Sequence, residues 1–298
     1  MRSVVITGTS TGIGHASAKV LIARGFRVFG SVRKPADAER LKLEFGANFV
    51  PMVFDVTDEA AVNAAAAEVR AELEEETLAG LVNNAGIAVS GPLLELSVSD
   101  FRRQMEVNVI GPVIATKAFG PLLGADPSLN GPPGRIVMIS SVAGTNGNPL
   151  MSPYSTSKHA VEGLSESLRR EFMLFGIDVI VIAPGAVKTP IWDKAEEIDI
   201  ATWAQSPFLP ALERLRAFML TMAQTGLPPE TIGALVHDAL TLPHPRARTE
   251  ISPEPFRMLM TRILPKRLLD GIIAKRLGLL PVRGAVAGRL IAARRPEG

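Results

Sequence analysis

Short apolar runs alternate with longer helical patterns from the first residues to about position 190, and this alternation constrains the fold more than any other feature. The runs predicted as strands cover 4–7, 27–32, 49–54, 78–82, 135–139 and 177–182. The helical patterns between them cover about 12–24, 36–45, 58–76, 99–123 and 153–175. This order is typical of βαβ units, in which helices cover both faces of a parallel sheet. The sequence therefore predicts a doubly wound α/β sheet of the Rossmann type.

The alternation stops after Pro190, and the rest of the chain has a different character. Helices are predicted at 207–225 and 229–242, an edge strand at 249–252, and a basic, Leu/Ile-rich helical end at 255–295. No stretch has the composition of an interdomain linker. We therefore expect a single dinucleotide-binding and catalytic domain over 1–252, with a substrate loop at about 190–225. A basic amphipathic extension over 253–298 would follow as a lid or tail.

Composition excludes several classes of site. The chain has no cysteine, so disulfides, thiol nucleophiles and cysteine-bound metals are excluded. Its four histidines lack metal-ligand spacing, and we predict no metal site. The chain enters its first strand at once and has no apolar run of about 18 residues, so neither a signal peptide nor a spanning helix is expected. These features predict a cytoplasmic protein.

A glycine-rich turn follows the first strand. It reads Thr7-Gly8-Thr9-Ser10-Thr11-Gly12-Ile13-Gly14 and leads directly into a helix. Glycines at a strand-to-helix turn let the backbone approach a pyrophosphate, whose charge suits the helix N-terminus. Many loops carry glycine for turn geometry alone, but the position after the first strand favours a dinucleotide site.

The only tyrosine of the chain, Tyr154, lies four residues before Lys158. On a helix these positions share one face, so the phenol and the ammonium can act on one site. A nearby ammonium favours the phenolate and would lower the tyrosine pKa, making it a usable general acid or base. A tyrosine and a lysine one turn apart are, by themselves, more often an ordinary helix surface.

Six features in chain order make the sequence similar to the short-chain dehydrogenase/reductase family in its common form of roughly 250 residues. The resemblance covers about residues 3–192. The features are the turn at 7–14, Asn83-Asn84-Ala85-Gly86, Asn108, Ser141, Tyr154-x-x-x-Lys158 and Pro184-Gly185-x-Val187-x-Thr189.

The resemblance implies a catalytic set of Asn108, Ser141, Tyr154 and Lys158. Tyr154 would exchange a proton with the substrate oxygen, and Lys158 would hold the tyrosine pKa down and bind the nicotinamide ribose. Ser141, thirteen residues before Tyr154, would donate to the substrate carbonyl oxygen, whereas Ser140 would satisfy backbone at the strand end. Asn108 would hold a water in a proton relay to Lys158; a helix-kink or capping amide is the alternative.

The adenine half of the site favours NADP(H), with NAD(H) as the alternative. Val32 occupies the position where NAD enzymes place an acid. Arg33 and Lys34 follow it, and a guanidinium suits a 2′-phosphate. Against this, Thr11 stands where many NADP-preferring relatives carry Arg or Lys, and Arg33 could merely be a solvated strand end.

The remaining cofactor contacts are implied by the resemblance. Asp55 and Val56 would bind adenine, although Asp55 could instead cap the following helix. Val187 and Thr189 would contact the nicotinamide carboxamide. Besides Tyr154 and Lys158, the predicted cofactor-binding residues are Gly8, Ser10, Thr11, Gly12, Ile13, Gly14, Arg33, Lys34, Asp55, Val56, Asn84, Ala85, Gly86, Pro184, Gly185, Val187 and Thr189.

The substrate and partner predictions rest on residues outside these motifs. Pro149, Leu150, Met151 and Trp192 suggest an apolar alcohol or carbonyl substrate, although core or lid packing explains them nearly as well. His159 points about 100° away from Lys158 around the helix and is predicted to be structural. Relatives are often dimers or tetramers through the helices near 99–123 and 153–175, which implies a homo-oligomer.

The C-terminal extension is strongly basic. From 251 to the end there are ten Lys/Arg against three acids, whereas the whole chain is only +2. A lid or subunit contact ranks first for this segment and peripheral membrane contact second. Nucleic acid is not expected, because the charge is confined to one tail without interleaved aromatics.

Two functions follow. The first is an NADP(H)-dependent oxidoreductase that interconverts a hydrophobic alcohol and its ketone or aldehyde. The alternative is a catalytically silent NADP-binding sensor or scaffold of the same fold, although a binding module has no need of all four catalytic-type residues.

Overall fold

A parallel sheet forms the centre of the computed structural model, which describes residues 1–190 and 203–281. Within these residues seven strands pair in the order β3-β2-β1-β4-β5-β6-β7, each parallel to its neighbours. The strands are β1 (Ser3–Ile6), β2 (Arg27–Val32), β3 (Phe49–Val53), β4 (Gly80–Asn83), β5 (Arg135–Ile139), β6 (Asp178–Pro184) and β7 (Arg248–Ile251). The predicted doubly wound sheet is confirmed.

Helices cover both faces of the sheet. They are α1 (Gly12–Ala23), α2 (Pro35–Phe45), α3 (Glu59–Glu72), α4 (Val98–Met105), α5 (Gly111–Phe119), α6 (Ser152–Glu171), α7 (Leu209–Thr225), α8 (Pro229–Thr241), α9 (Pro255–Ile263) and α10 (Lys266–Leu277). One buried cluster joins the sheet to α3, α5 and α6, and a second joins it to α1, α2 and α8. Apolar residues therefore occupy both faces of the central strands, which explains their continuously apolar sequences.

The strand order reverses between β1 and β4. β1 pairs with β2 on one side and with β4 on the other, and the chain leaves these strands in opposite directions. In open parallel sheets such a switch point leaves a crevice at the carboxyl ends of the strands. The glycine-rich turn and the Asn83-Asn84 pair both lie at this crevice.

Two predicted helices differ from the structure. The pattern at 99–123 is divided into α4, a π-helical turn at Glu106–Ile110, α5 and a 3₁₀ turn at Pro121–Leu123. The single helix predicted over 255–295 is divided into α9 and α10, because Leu264 leaves helical geometry (ψ 138°) before Pro265. Residues 282–298 lie outside the described residues.

The predicted boundary near 252 and the homo-oligomer stay predictions. Among the described residues, no helix is both long and apolar enough to cross a membrane.

Candidate active site

The glycine-rich turn is shaped by close backbone contacts. Gly8 and Gly12 have φ of 72° and 62°, a left-handed conformation that favours glycine. A Cβ at Gly14 would lie 2.1 Å from the carbonyl oxygen of Gly8 and 2.4 Å from Asn84 Nδ2. The turn therefore needs glycine at these three positions, and it places the N-terminus of α1 at the crevice, where backbone N–H groups favour an anion.

Asn84 and Ser31 fasten this turn to the neighbouring strands. The Nδ2 of Asn84 donates to the carbonyl oxygens of Thr7 and Gly8, at 2.9 Å each. The Oγ of Ser31 accepts from the backbone N–H of Gly8 at 2.9 Å. Asn83 is the sheet member of the pair, since its buried side chain donates to Thr116 Oγ1 at 3.2 Å. Sequence reasoning missed Ser31, whose position inside β2 gives no sign of this contact.

A cleft of about 320 Å³ begins at the turn and crosses the carboxyl ends of β1 and β4. Most of the predicted site residues line it: Gly8, Ser10, Thr11, Gly12, Ile13, Arg33, Asp55, Val56, Asn84, Ala85, Gly86, Ser141, Tyr154, Lys158, Pro184, Gly185, Val187 and Thr189. Gly14, Lys34 and Asn108 are not in its lining. Gly14 contacts the turn through the Gly8 carbonyl oxygen without lining the cleft. Lys34 directly precedes α2, and Asn108 lies behind the residues that line the cleft.

The adenine end of the cleft contains Val32, Arg33 and Asp55. Arg33 is exposed and has no carboxylate partner within the part of the chain that the structure describes. The Oδ1 of Asp55 accepts from the N–H and the hydroxyl of Thr57, at 3.0 and 2.8 Å. Asp58 is the residue that caps α3, through its contact with Ala61 N–H at 3.0 Å. Asp55 is therefore held by a local turn and faces the cleft.

Ser141, Tyr154 and Lys158 meet at the other end of the cleft. Ser141 Oγ accepts from Ala143 N–H at 3.1 Å and donates to the Pro184 carbonyl at 3.4 Å, and it lines the cleft together with Tyr154. The Nζ of Lys158 lies 5.8 Å from the centre of the Tyr154 ring and donates to the Ile139 carbonyl at 2.8 Å. Helix α6 thus places the phenol and the ammonium on one face, as their spacing predicts.

Asn108 lies in the π-helical turn and is buried. Its Oδ1 accepts from Ile87 N–H at 2.9 Å, and its Nδ2 donates to the Ile87 carbonyl at 3.0 Å and to Ser157 Oγ at 3.1 Å. The amide therefore joins the loop after β4 to α6. A wider turn at this point agrees with the alternative prediction of a distorted helix.

Comparisons with known proteins fit this geometry. The family model of the short chain dehydrogenases matches residues 2–199. This chain is a short-chain dehydrogenase. It is 37% identical, over 92% of its own length and 97% of the relative, to the NADPH-dependent 3-dehydrocapnine reductase of Ornithobacterium rhinotracheale.

Two further proteins show how widely the similarity extends. Human retinol dehydrogenase 5 is 35% identical over 91% of this chain and 87% of its own. A crystal structure of a serine dehydrogenase complexed with NADP⁺ is 26% identical, with a TM-score of 0.72 over 85% of this chain and 95% of that chain. As a member of this family the protein is an oxidoreductase.

Burial sets the charge state of the two α6 side chains of this short-chain dehydrogenase. It raises the pKa of Tyr154, an effect that the hydrogen bond with Ser141 opposes. Burial also lowers the pKa of Lys158 to about 8, although the Glu162 carboxylate acts in the opposite direction. The predicted lowering of the tyrosine pKa is therefore wrong: loss of hydration is the largest effect on Tyr154 and raises its pKa, while the Lys158 ammonium donates to the Ile139 carbonyl.

A partly buried ion pair behind the site was missed by sequence reasoning. Glu162, one turn after Lys158, accepts from Ser140 Oγ at 2.7 Å. Arg248 on β7 donates to the two Glu162 oxygens at 2.9 and 3.2 Å and to Glu250 at 2.6 Å. Ser140 thus bonds a carboxylate rather than backbone through its hydroxyl, which corrects the prediction for it.

An apolar cluster covers the site near Tyr154. Leu150 and Met151 are buried in it together with side chains of α7. The partly buried rings of Tyr154 and Trp203 pack against it. Leu150 and Met151 are therefore placed by packing against α7, and neither is in the lining of the cleft. His159 is exposed and bonds the Ser155 carbonyl at 2.8 Å, away from the site. Trp192 lies outside the described residues.

Proposed function

We propose that this short-chain dehydrogenase interconverts a hydrophobic alcohol and its ketone or aldehyde with NADP(H). One observation carries the proposal: Ser141, Tyr154 and Lys158 share a cleft with the glycine-rich turn. A dinucleotide whose pyrophosphate lies on the turn would extend toward the Tyr154 end. The phenol is then next to the reacting carbon of a substrate placed there.

The residues of the cleft fit the coenzyme. The left-handed glycines at 8 and 12 and the start of α1 suit a pyrophosphate. Arg33 has no carboxylate partner among the described residues and suits a 2′-phosphate, while Asp55 offers an acceptor for the adenine amino group. Val187 and Thr189 would hold the carboxamide. The name of the Ornithobacterium relative and the NADP⁺ complex of the serine dehydrogenase support NADP(H) over NAD(H).

The protein side chains move the proton. When bound, the coenzyme supplies a hydride to the carbonyl carbon or accepts one from the alcohol carbon. In reduction Tyr154 gives its phenolic proton to the carbonyl oxygen, and in oxidation it takes that proton back. Ser141 donates a hydrogen bond to the same oxygen and shares its developing charge. The Lys158 ammonium, on the same face of α6, would hydrogen-bond the nicotinamide ribose.

An apolar substrate suits the cluster against which Tyr154 packs. Leu150, Met151 and the α7 residues Leu212, Leu215 and Met219 offer no charged group at this end of the site. An apolar substrate that approaches the phenol would pass the partly buried side chains packed against this cluster, Trp203 and Phe208. Retinol, in the name of the human relative, is an alcohol, which is consistent with this substrate class.

Activity on a panel tests the proposal. The purified chain is mixed with NADPH or NADH and a series of ketones and aldehydes of increasing apolar length, and nicotinamide absorbance is followed. We expect turnover that rises with apolar length and is faster with NADPH. Tight NADPH binding without turnover, for the ketones and for the matching alcohols with NADP⁺, would indicate a nucleotide sensor instead.

A further inference from the structure

Helix α9 turns its apolar face toward solvent. Phe256, Leu259 and Ile263 are 72, 48 and 63% exposed. Their spacing of three and four residues places them on one face of the helix. Thr261, on the opposite side of α9, accepts a hydrogen bond at its Oγ1 from the Nδ2 of Asn146, at 3.5 Å. An amphipathic helix packed on its own domain normally has the reverse orientation.

Helix α10 and Leu280, three residues beyond its end, also expose apolar side chains. Leu268 and Ile272, one turn apart, are 52 and 50% exposed, and Leu280 is 52% exposed. We call these six residues the C-terminal apolar face: Phe256, Leu259, Ile263, Leu268, Ile272 and Leu280. Exposed apolar side chains gathered on one segment indicate an interaction surface.

Cations surround this face. Residues 255–281 contain six Lys/Arg and one acid, Asp270. Arg257 and Arg262 lie beside the apolar stripe of α9, about 100° away around the helix axis. Arg257 forms an ion pair with Glu254, and Arg262 forms one with Glu250. Lys266, Arg267 and Lys275 are exposed and form no ion pair with any carboxylate that the structure describes. The segment therefore has uncompensated positive charge beside exposed apolar side chains.

The face is attached next to the active-site cluster. The guanidinium groups of Arg257 and Arg276 lie 4.8 and 5.6 Å from the centre of the Phe218 ring on α7. Leu279 packs into the apolar cluster that also contacts Tyr154. The two helices are thus attached to α7 and to the apolar cluster near Tyr154, while their exposed apolar residues stay accessible to solvent.

We propose that the C-terminal apolar face docks on the surface of an anionic lipid bilayer, with α9 and α10 lying at the interface. Apolar side chains would enter the headgroup boundary while the surrounding cations meet anionic headgroups. A second copy of the chain is a poorer occupant, because its own face has the same excess of positive charge and would repel the first. The proposal does not depend on which substrate the site takes.

Vesicle co-sedimentation of the full chain tests it. Vesicles of phosphatidylcholine mixed with phosphatidylserine are compared with vesicles of phosphatidylcholine alone, at low and high salt. We expect pelleting with the anionic vesicles that weakens at high salt. No pelleting at low salt, or equal pelleting with both compositions, would overturn the proposal.

Matched variants locate the contact. The triple variant Phe256→Ser, Leu259→Ser, Ile263→Ser should partition roughly a hundredfold less, at about 1 kcal/mol for each side chain. Met173→Ser with Leu174→Ser is the control, because these residues are 65 and 81% exposed outside the face and should leave binding unchanged. Equal losses in both variants would contradict the proposal.

A charge variant separates lipid from self-association. Lys266→Gln, Arg267→Gln, Lys275→Gln should lower the affinity for anionic vesicles roughly a hundredfold, at about 1 kcal/mol per cation. Light scattering without lipid should give the same mass for wild type and the triple apolar variant. A wild-type dimer that the apolar variant abolishes would assign the face to a second copy instead. Unchanged melting temperatures show that the variants fold.

Discussion

Arg248 and Glu162 form a two-point ion pair, with Nε to Oε2 at 2.9 Å and Nη2 to Oε1 at 3.2 Å. The pair joins β7 to α6 directly behind the turn that contains Ser140 and Ser141. Glu162 lies one turn after Lys158, and its negative charge favours the ammonium form of that lysine. The charge of the site is therefore set partly by residues that no substrate would contact.

Replacing Glu162 should change the pH dependence of reduction. The carboxylate raises the pKa of Lys158, so Glu162→Gln should lower it further below about 8. Since the ammonium form of Lys158 would hold the nicotinamide ribose, kcat/KM for reduction should begin to fall at a lower pH than in wild type.

The matched control for this change is Glu166→Gln, on the next turn of α6, where the carboxylate pairs with exposed Arg170. Its pH profile of kcat/KM should follow wild type. If the pH profiles of kcat/KM for Glu162→Gln and Glu166→Gln coincide, Glu162 has no role in setting the Lys158 pKa.

The buried ammonium of Lys158 should destabilise the coenzyme-free fold below pH 8. Its pKa falls from 10.5 to about 8 on folding, so the unfolded chain binds more protons between these values. The penalty is complete below pH 8, is up to about 3 kcal/mol, and disappears as the pH rises toward 10.5.

Urea unfolding of Lys158→Met measures this effect. The free energy of unfolding of the variant minus that of wild type should be largest at pH 7 and smaller at pH 10. Lys42→Met, at an exposed position of α2, should give a difference that does not change with pH. A pH-independent difference for Lys158→Met would show that the fold does not suppress its charge.

Arg33 should discriminate between the two coenzymes. A charged hydrogen bond contributes about 1.5–3 kcal/mol, so Arg33→Ala should weaken NADPH binding roughly 10- to 100-fold. NADH has no 2′-phosphate, and its dissociation constant should stay within about twofold of wild type. Titration calorimetry with both coenzymes, and with Lys42→Ala as control, checks this. Equal weakening of NADPH and NADH would mean that Arg33 supports the fold rather than the phosphate.

The fold could be predicted from local patterns where those patterns decide the structure. The bounds of β2 and β5 agree with the prediction, and β5 has the continuous apolar sequence of a doubly buried parallel strand. The π-helical turn at Glu106–Ile110 was predicted only as the alternative role of Asn108, and the partner of that amide, the backbone of Ile87, lies 21 positions away with no local signature.

The candidate site also combines features that are local in sequence with features that depend on distant residues. The glycine turn and the spacing of Tyr154 and Lys158 are local in sequence, and the cleft brings together most of the residues that they imply. The ion pair of Glu162 and Arg248 spans 86 positions and has no local signature. The upward shift of the Tyr154 pKa could not be predicted either, because sequence spacing does not show how much hydration a side chain loses on folding.

The most direct test of the proposed chemistry is Tyr154→Phe, which removes one oxygen from the only tyrosine of the chain. Coenzyme affinity and kcat/KM for carbonyl reduction are measured on the same preparation. We predict a dissociation constant for NADPH within a few-fold of wild type and a kcat/KM lowered by about 10²–10⁴-fold, the contribution of a positioned general acid. Turnover within a few-fold of wild type, with NADPH still bound, would contradict the assignment of Tyr154 as the proton donor.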